Sequence, residues 1–258
     1  MKVDFGFRVL IASLAVMVSA ACTVDDSSDP GPKEISPYLA PAGIARVTSM
    51  WEAEDGLDLR AEREELVRGA AEAEFITHAE QPSNAYYGYQ EAVTESTGAH
   101  VGSAIGRRLL TGTLHWRLMS VTPTPSGFEG TTCLQAAGVS GILDSNQYTL
   151  WRIGTITSSR FEFTTKKPSE TTPTPSIRQS NPATPLSEGN LWQAPRGDIF
   201  SKWKIRVANS TPSDNDNCRK WAHTLYPLPP NTHEDGSLYG IRTTAAPPVL
   251  PAYPGWPQ

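Results

Sequence analysis

The segment TLHWRLMSV, residues 113–121, carries apolar side chains at every second position. One face holds Leu114, Trp116 and Leu118, and the other holds His115, Arg117 and Met119. A repeat of two residues is typical of a β-strand that buries one of its faces. The segment therefore predicts a strand that lies between a hydrophobic core and an outer surface.

Four later segments also predict strands, and short turn signals lie between them. These segments are residues 128–136, which contain Cys133, and residues 148–157, 159–165 and 201–209. The turn signals are PTPSG at 123–127 and the pair Ser158-Ser159. Short connections of this kind favour an antiparallel meander.

A helical region is expected before the strands, from residue 44 to about residue 80. The sequence SMWE at 49–52 fits a capping box, Gly56 interrupts the region, and Pro82 ends it. One stripe is apolar and consists of Leu59, Leu66, Ala70 and Ala73. The side chains expected beside or outside this stripe are Glu62, Glu65 and Arg68. Trp51 is expected in the core rather than at a ligand site.

Helices followed by antiparallel strands predict an α+β fold, with N-terminal helices packed on a curved antiparallel sheet of about five strands. Residues 166–189 are rich in Thr, Pro and Ser, which predicts a long flexible loop. Residues 211–258 contain repeated prolines, which predict an irregular tail that runs over the domain surface. Residues 44–258 are therefore expected to form a single domain.

The chain begins with the order of residues that is typical of an export signal. Lys2 and Arg8 make the start basic, and residues 9–18 form an uncharged apolar run. Small residues at 19–21 then precede Cys22. The apolar run is shorter than the roughly 20 residues that a membrane-spanning helix needs.

The sequence SAAC at 19–22 resembles the lipobox of bacterial lipoproteins, with Ser19 at the position where Leu is usual. The resemblance implies that residues 1–21 are a signal peptide and that Cys22 is diacylated. The protein would then be exported and anchored to the outer face of the cytoplasmic membrane. The polar residues 22–43 are expected to form a disordered tether. The alternative is ordinary signal cleavage before Cys22, which would give a secreted protein without lipid.

The chain also resembles the uncharacterised lipoproteins of actinobacteria. The residues that carry this resemblance are 19–22, 112–121 followed by Cys133, 218–221 and 253–257. It implies a membrane-anchored extracytoplasmic domain and carries over no activity. Over residues 46–210 the order of elements is similar to the NTF2-like and cystatin-like cone folds. In those folds a sheet wraps around a helix and leaves a pocket, and the fold alone does not define an activity.

Two further cysteines, Cys133 and Cys218, remain once Cys22 is assigned to lipid. An even pair in an exported protein predicts a disulfide bond between them. The alternative is two buried thiols that do not meet. Their spacing matches no zinc-binding pattern.

The formal net charge of −5 is mild, whereas proteins that bind nucleic acid are normally basic, so no nucleic-acid partner is expected. Lys202, Lys204 and Arg206 share one face of the strand predicted at 201–209. This basic stripe has two interpretations. It is either the solvated face of a half-buried strand or a patch that faces anionic lipid head groups or an acidic partner.

No specific catalytic or metal-binding motif is found in the sequence. There is no GxSxG, HExxH, Walker A or dinucleotide-binding glycine motif. The histidines are scattered along the chain at His78, His100, His115, His223 and His233. The cluster of Tyr86, Tyr87 and Tyr89 either lines a sugar or ligand pocket or is half-buried packing. We therefore expect no catalytic residue, no metal and no cofactor.

These patterns favour a non-enzymatic protein of the cell envelope that binds a partner protein or a small apolar ligand. The alternative is an enzyme with an unrecognised site that acts on cell-wall polymers or small molecules. A histidine and a carboxylate brought together at a pocket would support the enzyme. Histidine and acidic side chains dispersed over separate surfaces would contradict it.

Replacement of Cys22 tests the lipid anchor. Metabolic labelling with palmitate is expected to mark the wild-type chain and not the Cys22→Ala variant, because the thiol is the group that accepts lipid. A Cys133→Ala variant keeps Cys22 and should be labelled like the wild type. Equal labelling of the wild type and of Cys22→Ala would end the lipoprotein hypothesis.

Overall fold

A computed structural model describes residues 38–96, 109–144, 147–150, 156–167, 190–226 and 242–256. All of these residues belong to one structural unit that begins at Ile35. Several predictions fall outside the described residues. They concern the signal peptide, Cys22, most of the tether, residues 168–189 of the Thr/Pro-rich loop, His100 and His233.

The described part of the chain contains three α-helices and nine β-strands. The helices are α1 (Glu62–Ala79), α2 (Tyr89–Ala92) and α3 (Pro212–Leu225). The first five strands, β1 to β5, are Arg46–Ala53, Val93–Ser96, Leu110–Thr124, Gly127–Gln135 and Val139–Asp144. The last four, β6 to β9, are Gln147–Leu150, Ile156–Thr165, Trp203–Ala208 and Arg242–Thr243. Among these described residues, no helix has the length and apolar character needed to span a membrane.

All the described strands belong to one mixed sheet. Its order is β2-β8-β7-β4-β3-β5-β6-β9, and β1 lies beside β3. The β1–β3 and β2–β8 pairs are parallel, and the other pairs are antiparallel. The expected mixture of helix and sheet is confirmed. The sheet is larger than the predicted five strands, and it is not a simple antiparallel meander.

The clearest alternating patterns correspond to observed strands. The segments 113–121, 128–136 and 201–209 coincide with most of β3, β4 and β8. The segment 148–157 overlaps the end of β6 and the start of β7. The turn predicted at Ser158-Ser159 is wrong, because both residues lie inside β7, where they pair with β4.

Residues 46–53 form β1 rather than the predicted helix. Each of them pairs with a residue of β3, and the stacked rings of Trp51 and Trp116 lie 5.1 Å apart. This pairing buries Trp51 in the core, as predicted, together with Val47. Because the segment gains a hydrogen-bonded neighbour and packs aromatic and β-branched side chains, the strand replaces the expected helix and its capping box at 49–52.

The first long helix, α1, begins at Glu62. Its first turn contains three carboxylates, those of Glu62, Glu64 and Glu65. Negative charges at this end of a helix interact favourably with the helix dipole. The helix packs against β3, β4 and β7. Phe75 and Ile76 leave the predicted apolar stripe and are nevertheless buried, because other segments also cover the helix. Among the covering side chains are Trp192, Phe200 and Trp256.

Arg68 on α1, which was expected beside or outside the apolar stripe, is only 1% exposed and is therefore not a solvated residue. Its Nη1 donates to the carbonyl oxygen of Leu59 and its Nη2 to that of Pro254, both at 2.8 Å. The guanidinium carbon lies 4.5 Å from the ring centroid of Trp256. Hydrogen bonds and ring contact compensate for the loss of water around this charge. Burial lowers the pKa of Arg68, while the nearby charge of Glu72 acts in the opposite direction.

Glu72 is also 1% exposed, and its carboxylate accepts three hydrogen bonds. Trp51 Nε1 donates to Oε1 at 2.8 Å. The Tyr86 hydroxyl and Trp256 Nε1 donate to Oε2 at 2.7 and 2.9 Å. Trp192 Nε1 in turn donates to the Tyr86 hydroxyl at 2.8 Å. These five residues, the Glu72 cluster, join β1, α1 and three further segments of the chain at one buried charge.

Part of the tail that was predicted to be irregular, residues 211–258, is regular. Residues 212–225 form α3, which has a capping box made by Thr211 and Asp214. Farther along, the Tyr253 N–H donates to Ser49 O at 3.0 Å, and the Trp51 N–H donates to Tyr253 O at 2.7 Å. The segment that contains Tyr253 therefore lies parallel to β1 and is joined to it by these two hydrogen bonds.

The disulfide bond predicted between Cys133 and Cys218 is present, with a Cα–Cα distance of 5.3 Å. It joins β4 to α3. Cys133 packs with Trp221, whereas its neighbour Leu134 belongs to the core around α1. Since neighbouring residues of a strand point to opposite faces, α1 and α3 cover opposite faces of the sheet.

The variant Glu72→Gln tests the buried carboxylate. It should lower the free energy of unfolding by about 1–3 kcal/mol, because an amide cannot accept hydrogen bonds from all three donors. Urea unfolding measures this difference. The control Glu62→Gln replaces an exposed residue of the same helix and should change the value by no more than about 0.5 kcal/mol. Equal unfolding midpoints for the two variants would contradict the structural role of Glu72.

Candidate functional site

A cleft of about 410 Å³ lies between α1 and one end of the sheet. Strands β3, β4, β7 and β8 contribute to its walls, and the start of α3 borders it. Its buried apolar lining includes Ala71, Phe75, Trp116, Leu134 and Val207. Exposed amide side chains, those of Asn209 and Asn215, stand at its outer edge. The cleft therefore combines apolar walls with a polar edge.

The helical side of the cleft is one face of α1. Residues at i, i+3, i+4 and i+7 share a helix face, and here they are Ala71, Glu74, Phe75 and His78. The small side chain of Ala71 leaves space beside the ring of Phe75. Glu74 and His78 bring a carboxylate and an imidazole to the same face.

On the sheet side, the cleft is lined by a row of three residues that crosses three neighbouring strands. Trp116 lies opposite Leu134, and Leu134 lies opposite Thr157. Directly opposed residues share a face, so this row faces α1. Trp116 is 3% exposed, and its indole N–H has no hydrogen-bond acceptor among the described residues. The sheet thus supplies the apolar side chains of Trp116 and Leu134, together with the unpaired indole N–H of Trp116.

The carboxylate of Glu74 is held by three side chains from different parts of the chain. His78 Nε2 lies 3.0 Å from Oε1, and Ser96 Oγ donates to the same oxygen at 2.8 Å. The Tyr89 hydroxyl donates to Oε2 at 2.7 Å. Glu74 is 10% exposed and His78 is 15% exposed, so both are accessible from the cleft.

These contacts decide the charge on Glu74. Burial alone would raise the pKa of Glu74, but hydrogen bonds from His78, Tyr89 and Ser96 lower the pKa below its usual value of 4.5. Burial, together with the charge of Glu74, raises the pKa of Tyr89 well above 10. At neutral pH the carboxylate is therefore ionised and the phenol is protonated.

The Glu74–His78 pair brings together the two chemical groups that the enzymatic alternative requires. A carboxylate beside an imidazole orients the ring. Such a pair in an apolar cleft has the chemistry to exchange a proton with a bound molecule. The spacing of four residues inside a helix is visible in the sequence, but the five histidines as a set are scattered and gave no motif.

The tyrosine cluster does not line the cleft. Tyr86 and Tyr89 are buried, and their hydroxyls bind Glu72 and Glu74. Tyr87 is half-buried, with its ring 6.3 Å from that of Tyr38. The structure therefore fits the interpretation of these tyrosines as packing residues. The rings of Tyr86 and Tyr89 are more deeply buried than expected.

The basic stripe lies on the face of β8 opposite the buried Ile205 and Val207. Arg206 pairs with Glu162 on β7, and its Nε donates to Oε2 at 2.9 Å. Hydrogen bonds that Arg206 donates to the Glu162 carboxylate raise the pKa of Arg206. Lys202 is exposed and Lys204 is half-buried. The stripe is separate from the cleft lining, and its Arg206 is paired with Glu162.

His115 lies outside the cleft, on the sheet face that α3 covers. Its Nε2 is 3.1 Å from the Tyr226 hydroxyl, and burial lowers the pKa of His115. In the described ranges, no group of three or more His, Cys, Asp or Glu side chains is arranged to hold a metal ion.

The pH dependence of stability tests the charge of Glu74. Because its pKa is lowered in the folded protein, its stabilising contribution is fully present above its usual pKa and is lost as the pH falls through the lower folded value. The difference in unfolding free energy between wild type and Glu74→Gln should therefore shrink between about pH 5 and pH 2. The exposed control Glu91→Gln should not reproduce this change. A difference that stays constant would show that Glu74 is not ionised in the folded protein.

Comparison with known proteins does not assign this cleft. No protein-family model matches the chain. No curated protein and no solved structure matches it either. The interpretation of the cleft therefore depends on its own geometry and chemistry.

Proposed function

We propose that this protein is an exported, lipid-anchored protein that binds a small and largely apolar ligand in the cleft between α1 and the sheet. The observation that carries the proposal is a cleft of about 410 Å³ that combines a buried apolar lining with polar side chains. Binding sites for small molecules typically measure about 300–1,000 Å³ and use apolar surface together with polar groups that orient the ligand.

The construction of the cleft supports a ligand of moderate size. Ala71 leaves the helix side open, and Phe75 and Trp116 supply aromatic surfaces that meet edge to face with centroids 6.2 Å apart. Burial of apolar ligand surface against such walls contributes roughly 25 cal/mol per Å². The unpaired indole N–H of Trp116 would be satisfied by a ligand that carries an acceptor.

The location part of the proposal depends on the N-terminal residues. A basic start, an apolar run and small residues before Cys22 support export and lipidation. Two acyl chains hold a protein firmly at a membrane, whereas one chain holds it only marginally. The membrane would then be the first partner of the protein, and the domain that begins at Ile35 would stand outside the cell.

An enzyme is the second candidate function, and the Glu74–His78 pair is the observation that favours it. The two groups lie 3.0 Å apart in the cleft, where a bound molecule would meet them. An enzyme acting on small molecules or on cell-wall polymers would use this pair for proton transfer. Turnover that depends on His78, together with unchanged ligand affinity in His78→Gln, would favour this candidate over binding alone.

Filling the cleft tests the proposed binding function. Ser159 is half-buried, lines the cleft and shares the face of Phe161 on β7. Ser159→Trp should weaken the binding of N-phenyl-1-naphthylamine by about tenfold or more, because the new indole occupies the space of the probe. Fluorescence titration of the full chain carrying Cys22→Ala, which has no lipid, measures the affinity.

The matched control is Ser201→Trp, which adds the same side chain at an exposed position before β8. This variant should keep the affinity of the parent chain. If the parent chain does not bind the probe, or if both variants bind it equally well, the cleft is not the binding site.

A further inference from the structure

We propose that the ligand of the cleft carries a cationic amine, which binds the carboxylate of Glu74 while the rest of the ligand packs on Phe75 and Trp116. This inference rests on the proposed binding function and adds the chemical class of the ligand. Three observations support it: the charges in the cleft, the hydrogen bonds of Glu74 and the aromatic walls.

The charged groups of the cleft are unbalanced. Glu74 is the only acidic side chain among the described residues that line it, and no Lys or Arg lines it within the same residues. The neighbours that hold the carboxylate are an imidazole and two hydroxyls, from His78, Ser96 and Tyr89. Hydroxyl donors stabilise a carboxylate without neutralising it. Apart from the imidazole of His78, none of these neighbours can carry a positive charge, and a cationic ligand would supply one in a site where water provides little screening.

The hydrogen bonding of Glu74 leaves room for one more donor. A carboxylate offers about four lone-pair sites. Oε1 is engaged by His78 and Ser96, whereas Oε2 accepts one described hydrogen bond, from Tyr89. Glu74 lines the cleft and is partly exposed, so its carboxylate can meet an ammonium group that binds there. Hydrogen bonds between two charged groups are about twice as strong as neutral ones.

The aromatic walls suit the same ligand. Phe75 follows Glu74 directly on α1 and lines the same cleft as Trp116. Aromatic faces attract cations within about 6 Å of the ring centroid, and they also pack against apolar or aromatic groups. A carboxylate beside aromatic rings therefore favours an amine attached to an apolar body over a carboxylate attached to the same body.

Three probes with the same ring test the charge preference. Tryptamine is a cation, 3-ethylindole is neutral and indole-3-acetate is an anion. Each is titrated against N-phenyl-1-naphthylamine bound to the full chain carrying Cys22→Ala. Tryptamine should displace the dye at a concentration about tenfold lower than 3-ethylindole, and indole-3-acetate should be the weakest. In Glu74→Gln the advantage of tryptamine over 3-ethylindole should disappear.

The neutral probe separates loss of charge from loss of folding. If Glu74→Gln still binds 3-ethylindole, the cleft is intact and the loss is specific to the amine. A second variant, Asn209→Asp, adds a negative charge at the exposed edge of the cleft and should increase the preference for tryptamine. The Asn209→Asp variant tests the charge preference even if Glu74→Gln does not fold.

Each outcome has a distinct meaning. Preference for tryptamine that is lost in Glu74→Gln, or increased in Asn209→Asp, supports the amine. Equal displacement by all three probes, or stronger displacement by indole-3-acetate, overturns the proposal of an amine ligand. The proposed binding function is retained in that case. Failure of the chain to bind the dye or any of the indoles overturns both proposals.

Discussion

The fold depends on the requirement that the buried carboxylate of Glu72 be satisfied. Its three donors, on Trp51, Tyr86 and Trp256, come from widely separated parts of the chain. An unpaired buried charge costs several kcal/mol, so packing that omits one of these segments is strongly disfavoured. Arg68, one turn earlier, adds bonds to Leu59 and Pro254. A pair of charges in the middle of α1 thus selects one arrangement of the surrounding segments.

The same helix places a second carboxylate in the cleft. Glu72 and Glu74 are two residues apart, which is about 200° around an α-helix. One side chain therefore points into the Glu72 cluster and the other towards the cleft. Holding α1 firmly on one side fixes the position of Glu74 on the other. Rigid support of this kind is what a binding group needs, because its geometry must exist before the ligand arrives.

The sequence predicts those parts of the fold that depend on local pattern. The alternation at 113–121 and 201–209 locates two strands, and the count of cysteines leads to the disulfide between Cys133 and Cys218. Residues 46–53 were assigned to a helix because a capping-box pattern is local, whereas their pairing with β3 is made by residues far along the chain. Arg68 was expected beside or outside the apolar stripe, and its burial could not be predicted from that stripe because its two carbonyl acceptors lie on other segments of the chain. The candidate site was missed for a similar reason, since Tyr89 and Ser96 reach Glu74 only after folding.

The burial of Trp256 also makes the core depend on contacts that are distant in the sequence. Strand β1 obtains its neighbour Tyr253, and Glu72 its third donor, from a segment that lies 184 residues beyond Glu72. Contacts between residues so far apart require a long loop of chain to close before they contribute, and a high share of such contacts slows folding. The hydrogen bonds around Glu72 therefore form only when these distant segments have met.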